Sequence, residues 1–492
     1  MSGPWLTLLW AAPAVGAVAA AAVPRAARWI GLAASLIALV IGIGLAVAFD
    51  PAGGYQFVES HAWIPSFGAG YRLGLDGTGL VLVLLTAALL PVLLLAAWRE
   101  TSPQSERAGT YVALTLAVEA MVLVSFVATD VLLFYLVFEA MLIPLYFLLA
   151  GFGGTGGESG ARAHAAVKFL LYNLAGGLVM LAAVVGLYAA SGTFDLRALL
   201  DGARPGPGIA QDLMFLGFLF AFAVKAPLWP LHTWLPGAAV QTNPPTAVLM
   251  MAIVDKVGTF AMLRYCLTLF PDAAARFAPW VAALAVIGIV YGAILAIGQS
   301  DVMSLIAYTS ISHFGFIILG VVARTGDSQA GSVLYMVNHG VATAALFLTA
   351  GVLVARRGSR RIADFGGAWS RAPKLGAIFL IAGLATLSLP GLGPFVSELL
   401  VVVGTYPRWA FAAIVSVLAL VLSAMYVLWT YQRMFTGPVP EAVERTVDDA
   451  RPRELLVLAP LIVALSLLGF FPGPALDAIN PSVSPTVAEV AR

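Results

Sequence analysis

The sequence predicts an all-α polytopic membrane protein of about fourteen transmembrane helices. Three observations predict it. The chain of 492 residues is 61% hydrophobic and only 10% charged, with a mean hydropathy of +0.95, far from the composition of a soluble domain. Its apolar residues fall into runs long enough to cross a hydrocarbon core of about 30 Å. The longest polar stretches, 50–72, 191–211, 356–374 and 436–454, cannot bury a core of their own, so residues 1–492 read as a single transmembrane domain.

Cut at charged and Gly/Pro-rich breaks, the first six runs lie near 5–23, 27–49, 73–97, 109–129, 131–151 and 165–190. The first lacks a basic n-region and reads as a spanning helix rather than a cleavable leader. GGTGGESG at 153–160 lacks the lysine and the strand–helix setting of a phosphate loop, and reads as a flexible turn. Span seven, near 212–235, contains Pro227 and Pro230 directly after Lys225, which interrupts its helix. Spans eight to eleven lie near 245–266, 279–299, 302–323 and 330–355. Span twelve, near 374–404, carries Pro390 and Pro394 beside Glu398, and spans thirteen and fourteen lie near 409–434 and 453–472. Loops joining odd to next-even spans hold sixteen of the 26 Lys and Arg residues, and the opposite side eight. By the positive-inside rule both termini lie outside.

The ionisable residues inside these spans point to function. Lys225 lies thirteen residues from Asp212, the nearest upstream polar group. That is about 20 Å along a helix, too far for its stem to snorkel to water. Its charge must face a partner or a wet cavity. Glu139 lies mid-way through span five, Lys256 in span eight with Asp255 beside it, His313 in span ten, His339 in span eleven, Glu398 in span twelve and Glu119 in span four. One such residue could be a structural hydrogen bond. Acid, amine and imidazole on successive spans read instead as an ion or proton path, because burial moves acids and amines toward neutrality and imidazole both donates and accepts. Asp255 and Lys256 are adjacent and point about 100° apart, so they need not pair. Glu139 and His313 lie 174 residues apart and Lys225 and Glu398 lie 173 apart, each half with a broken span. That is the pointer expected of a repeat-built transporter.

The blocks FYLVFEAMLIPLYFLL, AVKAPLWPLHTWLP, DKVGTFAMLR, LIAYTSISHFGFIILG and LSLPGLGPFVSELL resemble the antiporter-like subunits of respiratory complex I. That group includes the M, L and N subunits of NADH:quinone oxidoreductase, the large Mrp cation/proton antiporter subunits and membrane subunits of related hydrogenases. The resemblance runs from about span three to span thirteen and implies two inverted five-helix repeats, 109–266 and 279–434, formed by helices 4–8 and 9–13 with helices 7 and 12 broken. It implies an interacting pair of Glu139 and Lys225, a central Lys256, a relay through His313 and His339, and a terminal Glu398, with His232, Asp255 and Glu119 in secondary places. Glu398 stands where the L, N and Mrp types carry lysine, and the chain ends soon after span fourteen, so the M type is favoured. Three departures stand out. Ala239 replaces a second histidine, Asp255 replaces an apolar residue, and no basic residues follow Asp301.

What the chain lacks narrows the function further. A net charge of +1 gives no ground for nucleic-acid binding. The single cysteine, Cys266, excludes an internal disulfide and a Cys-ligated iron–sulfur cluster. No Gly-rich nucleotide fingerprint follows a strand pattern. By the resemblance, NADH, FMN, iron–sulfur clusters and quinone are expected in partner subunits, among them the L-type and N-type subunits. This chain is then the non-redox, proton-translocating part of the enzyme in a bacterial plasma membrane. The alternative is a subunit of an Mrp-type antiporter or of a membrane-bound hydrogenase.

Overall fold

The computed structural model describes residues 3–98, 107–153 and 159–488. Two helices open the chain, α1 (Trp5–Ala22) and α2 (Pro24–Ala48). Between them and the next span lies an element that the apolar pattern did not reveal. Within the polar stretch 50–72 begins a hairpin of β1 (Gln56–Ile64) and β2 (Ala69–Leu75), paired antiparallel. The hairpin serves the helices. The Glu59 carboxylate accepts the Leu6 N–H at 2.7 Å and the Thr7 N–H at 3.2 Å, and so caps α1, which has no side-chain cap of its own. Arg72 on β2 pairs with Asp130 at 2.6 Å and Asp195 at 3.3 Å.

The remaining helices are α3 (Gly77–Ala96), α4 (Ala108–Val127), α5 (Val131–Gly151), α6 (Ser159–Ser191), α7 (Ile209–Lys225), α8 (Leu235–Gln241) and α9 (Pro244–Leu269). They continue as α10 (Pro271–Ile297), α11 (Val302–Ala323), α12 (Gly326–Arg357), α13 (Pro373–Thr386), α14 (Gly393–Thr405), α15 (Ala410–Phe435), α16 (Pro452–Phe470) and α17 (Gly473–Ala488). Among the described residues, twelve helices are long and apolar enough to cross a membrane. The runs read as spans seven and twelve are not among them, because each is split: α7 stops at Lys225 and α8 resumes at Leu235, and α13 stops at Thr386 with α14 resuming at Gly393. Proline supplies no backbone N–H and crowds the preceding turn, so both breaks fall where prolines cluster. In the second break Gly391 adopts φ 94° and Ser388 φ 61°. The latter is a conformation that costs a non-glycine residue about 1 kcal/mol or more.

Acids at the helix ends are occupied as caps. Asp76 accepts the Gly79 N–H and pairs with Arg264 at 2.6 Å. Asp130 caps the start of α5 and Asp301 the start of α11. Asp301 also pairs with Arg360 at 3.2 Å, so a basic partner absent from its own loop arrives from the end of α12. The packing is inside-out relative to a soluble protein. The span of α9 is wholly buried and α11 and α12 nearly so, whereas α1, α2 and α16 are mostly exposed. The buried helices carry the ionisable residues and the exposed ones are almost purely apolar, as a lipid solvent requires.

The closing helix α17 was also not legible as an apolar run, since it holds Pro474, Pro481 and Asn480 and little hydrophobic content. Packing decides it. Ile479 and Val483 are buried, Ser482 shares a 2.8 Å hydrogen bond with Thr78, and the Ala478 carbonyl lies so close to Gly77 that a Cβ there would sit 1.7 Å from it. The flexible turn read at 153–160 falls largely at 154–158, outside the described residues.

Candidate functional site

The site is built around α9, whose backbone is irregular. Leu249–Val254 and Met262–Cys266 are π-helical and flank the regular turn Asp255–Ala261. A π stretch offsets each carbonyl by one residue, so its groups do not all meet their usual partners. The Met251 carbonyl is thereby met by the Lys256 ammonium at 2.7 Å. Lys256, fully buried, also bonds His339 Nδ1 at 2.7 Å and lies 4.4 Å from the centre of the Phe314 ring. Because the ammonium can only donate, His339 Nδ1 accepts and its proton sits on Nε2, which faces Thr343 Oγ1 at 3.2 Å.

The file continues through imidazole and phenol groups. His313 lies 5.5 Å from His339, centre to centre, without a hydrogen bond between them. Its Nδ1 bonds the Tyr335 hydroxyl at 2.6 Å and its Nε2 faces the Tyr426 hydroxyl at 3.5 Å. Beyond the tyrosines lies Glu398, fully buried on α14. One of its oxygens accepts a short hydrogen bond from Ser388, the residue with positive φ in the break of span twelve, and the other has no partner. Tyr335, Tyr426 and Ser388 were not among the residues singled out from sequence. Tyr335 could have been: it stands four residues before His339, on the same helix face. Nothing in the sequence marks Tyr426 or Ser388.

On the other side of α9 lies Lys225, at the end of α7. Its ammonium has no hydrogen-bond partner and rests 4.5 Å from the centre of the Phe138 ring. Gly258 places α9 against the break itself, since a Cβ there would lie 2.8 Å from the Ala226 nitrogen and 3.0 Å from the Phe222 carbonyl. Glu139 is close enough to act on Lys225 through its charge, but no ion pair joins them among the described residues, and Glu139 Oε1 is unpartnered. Instead the Glu139 carboxylate occupies the space that Gly177 of α6 leaves open, with a Cβ at 177 falling 2.0–2.2 Å from it. Gly177→Ala is therefore expected to push that carboxylate aside while leaving the helices packed, because the group displaced is the end of a flexible side chain. Coupled turnover is expected to fall in Gly177→Ala and in Glu139→Gln alike, with thermal stability of the assembly unchanged; wild-type turnover in Gly177→Ala would show that the carboxylate's position is immaterial.

The secondary residues separate. Asp255 is buried between the two lysines, interacts electrostatically with both, and neither carboxylate oxygen has a hydrogen-bond partner. Glu119 is buried on α4 with both oxygens unpartnered and no ionised neighbour acting on it. His232 is buried in the turn between α7 and α8, its ring edge-on to that of Tyr291 with 5.1 Å between centres. Among the described residues no group of three or more His, Cys, Asp or Glu side chains could hold a metal ion.

Comparison with known proteins places this arrangement. Residues 128–425, which include Glu139, Lys225, Lys256, His313, His339 and Glu398, match the family described as NADH:quinone oxidoreductase/Mrp antiporter, TM. The chain is 54% identical over 530 aligned positions to NADH-quinone oxidoreductase subunit M of Mycobacterium tuberculosis, covering 99% of this chain and 95% of that protein. It is 37% identical to NADH-quinone oxidoreductase subunit M of Rhodobacter capsulatus, covering 94% and 91%. Among solved structures it superimposes on a chain of respiratory complex I from Thermus thermophilus with a TM-score of 0.88 at 32% identity, covering 98% of this chain and 99% of that one. The chain belongs to the family of NADH:quinone oxidoreductase and Mrp antiporter membrane subunits, and within it to the subunit M branch.

Proposed function

We propose that this chain is a proton-translocating membrane-arm subunit of a redox-driven NADH:quinone oxidoreductase. One observation carries the reading: titratable side chains on α5, α7, α9, α11, α12 and α14 follow one another from the half-buried Glu139 through the buried Lys225, Lys256, His339 and His313 to the buried Glu398. Lys256 Nζ and His339 Nδ1 are at hydrogen-bond distance, so a proton passes from ammonium to imidazole without any backbone movement. The imidazolium then holds a proton on each nitrogen and releases one from Nε2. Water in transit joins His339 to His313, and the hydroxyls of Tyr335 and Tyr426 continue the file toward Glu398.

Lys225 and Glu139 act as the switch. An ammonium buried without an ionised partner is costly, and an approaching carboxylate offsets that cost. When Glu139 closes on Lys225 both stay charged. When it withdraws toward Gly177, the lysine sheds its proton toward Asp255 and Lys256. A pair that forms and breaks moves protons, whereas a permanent pair would only hold helices together. The signal that moves Glu139 arrives from outside the chain.

The wider reading follows from the same family membership. The chain crosses the bacterial plasma membrane fourteen times with both termini outside, its halves 109–266 and 279–434 are inverted repeats, and its neighbours include L-type and N-type subunits. NADH, FMN, iron–sulfur clusters and quinone belong to partner subunits, and this chain holds no redox centre. The Mrp-type alternative is weaker because Glu398 stands at the terminal site in place of lysine. NADH oxidation by membranes containing the complex is expected to build a gradient that a protonophore collapses and a sodium ionophore does not. A gradient that needs sodium and is indifferent to NADH would instead make the chain a cation antiporter subunit.

A further inference from the structure

A second site lies at one end of the bundle, about 20 Å along α9 from Lys256, since Asn243 precedes that lysine by thirteen residues. Here a partly open cavity of about 190 Å³ lies where α3 ends at Ala96, α9 begins at Pro244, α12 ends at Arg357 and α16 begins at Pro452. Four helix ends meeting at one level place it at the depth of the lipid headgroups. Its lining divides into two parts. The rim carries Arg356, Arg360, Arg451 and Arg453, and the floor is made by Leu95, Val352, Val457 and Leu458.

The charges do not cancel. Arg356 is paired with Glu454 at 2.5 Å and Arg360 with Asp301 at 3.2 Å. Among the described residues no ion pair occupies Arg451 or Arg453, so two positive charges remain. A donor waits inside as well. Asn243 is 2% exposed and its Oδ1 accepts the Thr246 N–H at 2.9 Å, which fixes the orientation of its amide. Asn243 lines the cavity, and its Nδ2 offers two N–H groups that have no protein partner. Thr242 Oγ1, equally buried and also lining the cavity, is unpartnered too. The start of α9 adds only its positive dipole end, since Pro244 and Pro245 carry no N–H and the Thr246 and Ala247 N–H groups are bonded to Asn243. Unspent cations and two buried, unpartnered donors, Asn243 Nδ2 and Thr242 Oγ1, make a site for a phosphate oxyanion, and the apolar lining beside them takes a hydrocarbon chain.

We propose that this cavity binds the phosphate headgroup of an anionic phospholipid, with an acyl chain lying along Val457 and Leu458 of α16. The assignment is independent of the proton file and holds whatever that file carries. It also places the lipid at the cap of the helix that bears Lys256, so that the lipid steadies the end of the most buried span.

Photo-crosslinking of the purified complex tests this, using phosphatidylglycerol with a photoactivatable acyl chain and the matching phosphatidylcholine probe. The phosphatidylglycerol probe is expected to label the α16 peptide containing Val457 and Leu458, and the phosphatidylcholine probe to label it far less. Arg451 is exposed and Arg453 half-buried, so R451Q/R453Q leaves the fold intact. At about 1 kcal/mol for each basic residue near an anionic headgroup, that double variant should bind the probe about thirtyfold more weakly. R451K/R453K, which keeps the charge, should retain most of the labelling. Equal labelling by the two probes, or undiminished labelling of R451Q/R453Q in an assembled complex, would overturn the proposal. Displacement of the probe by inorganic phosphate at cellular concentration would also overturn it, by showing a site for the free ion.

Discussion

Lys225→Ala is expected to lower NADH-driven quinone reduction by about 100-fold or more, the usual contribution of a positioned proton-transfer group. Assembly should survive, because the ammonium makes no hydrogen bond that holds the structure together and rests 4.5 Å from the centre of the Phe138 ring. The loss should persist in Lys225→Met, which restores the apolar stem and so removes packing as the cause. Lys225→Arg should fail as well, although it keeps the charge, because a guanidinium does not release its proton. These three variants separate the readings. A role in packing predicts rescue by methionine, and a fixed ion pair predicts rescue by arginine. A group that must gain and lose a proton predicts that neither rescues. The check is quinone reductase turnover, normalised to NADH oxidation by an artificial acceptor that reports the assembled redox arm alone.

Lys256→Ala carries the second large effect, about 100-fold on the same turnover. Here the ammonium makes two hydrogen bonds, to the Met251 carbonyl and to His339 Nδ1, both at 2.7 Å. Removing it leaves a buried carbonyl without its donor, at a cost of about 1–3 kcal/mol. It also frees the His339 ring to change tautomer. Some destabilisation of the assembly is therefore expected in this variant and not in Lys225→Ala. Lys256→Met again separates packing from proton transfer. It preserves the contact with Phe314 but cannot bond His339, and should be as inactive as alanine. Turnover near wild type in Lys256→Met would mean that the lysine only fills space.

Much of this site was legible in the sequence because hydrocarbon makes charge expensive. Two lysines, three glutamates and two histidines inside apolar runs stand out in any membrane chain, and prolines next to Lys225 and Glu398 announce both breaks. What the sequence could not convey is contact. Glu139 and Lys225 read as a pair, yet the carboxylate lies against Gly177 and the ammonium against Phe138, because glycine on a third helix opened a space the sequence does not display. His232, given a secondary place by its position after Lys225, sits in the turn between α7 and α8 with its ring against Tyr291, a neighbour the sequence does not display. Tyr335 and Tyr426 are uncharged and aromatic, so they blend into a hydrophobic helix until the fold places both on His313. The hairpin and α17 were missed for a related reason. Their residues are polar or rich in proline and glycine, and only tertiary partners, Leu6 and Thr7 for Glu59 and Gly77 for Ala478, hold them in place.

The central claim is that protons cross the membrane through the ionisable residues of this chain. The most direct measurement is the number of protons moved per NADH oxidised by the purified complex in sealed proteoliposomes, compared between wild type and Lys256→Met. A lower ratio, from the turnovers that remain in the variant, is the predicted result. An unchanged ratio at any turnover rate would contradict the account, since the protons would then be travelling by a route that does not need Lys256.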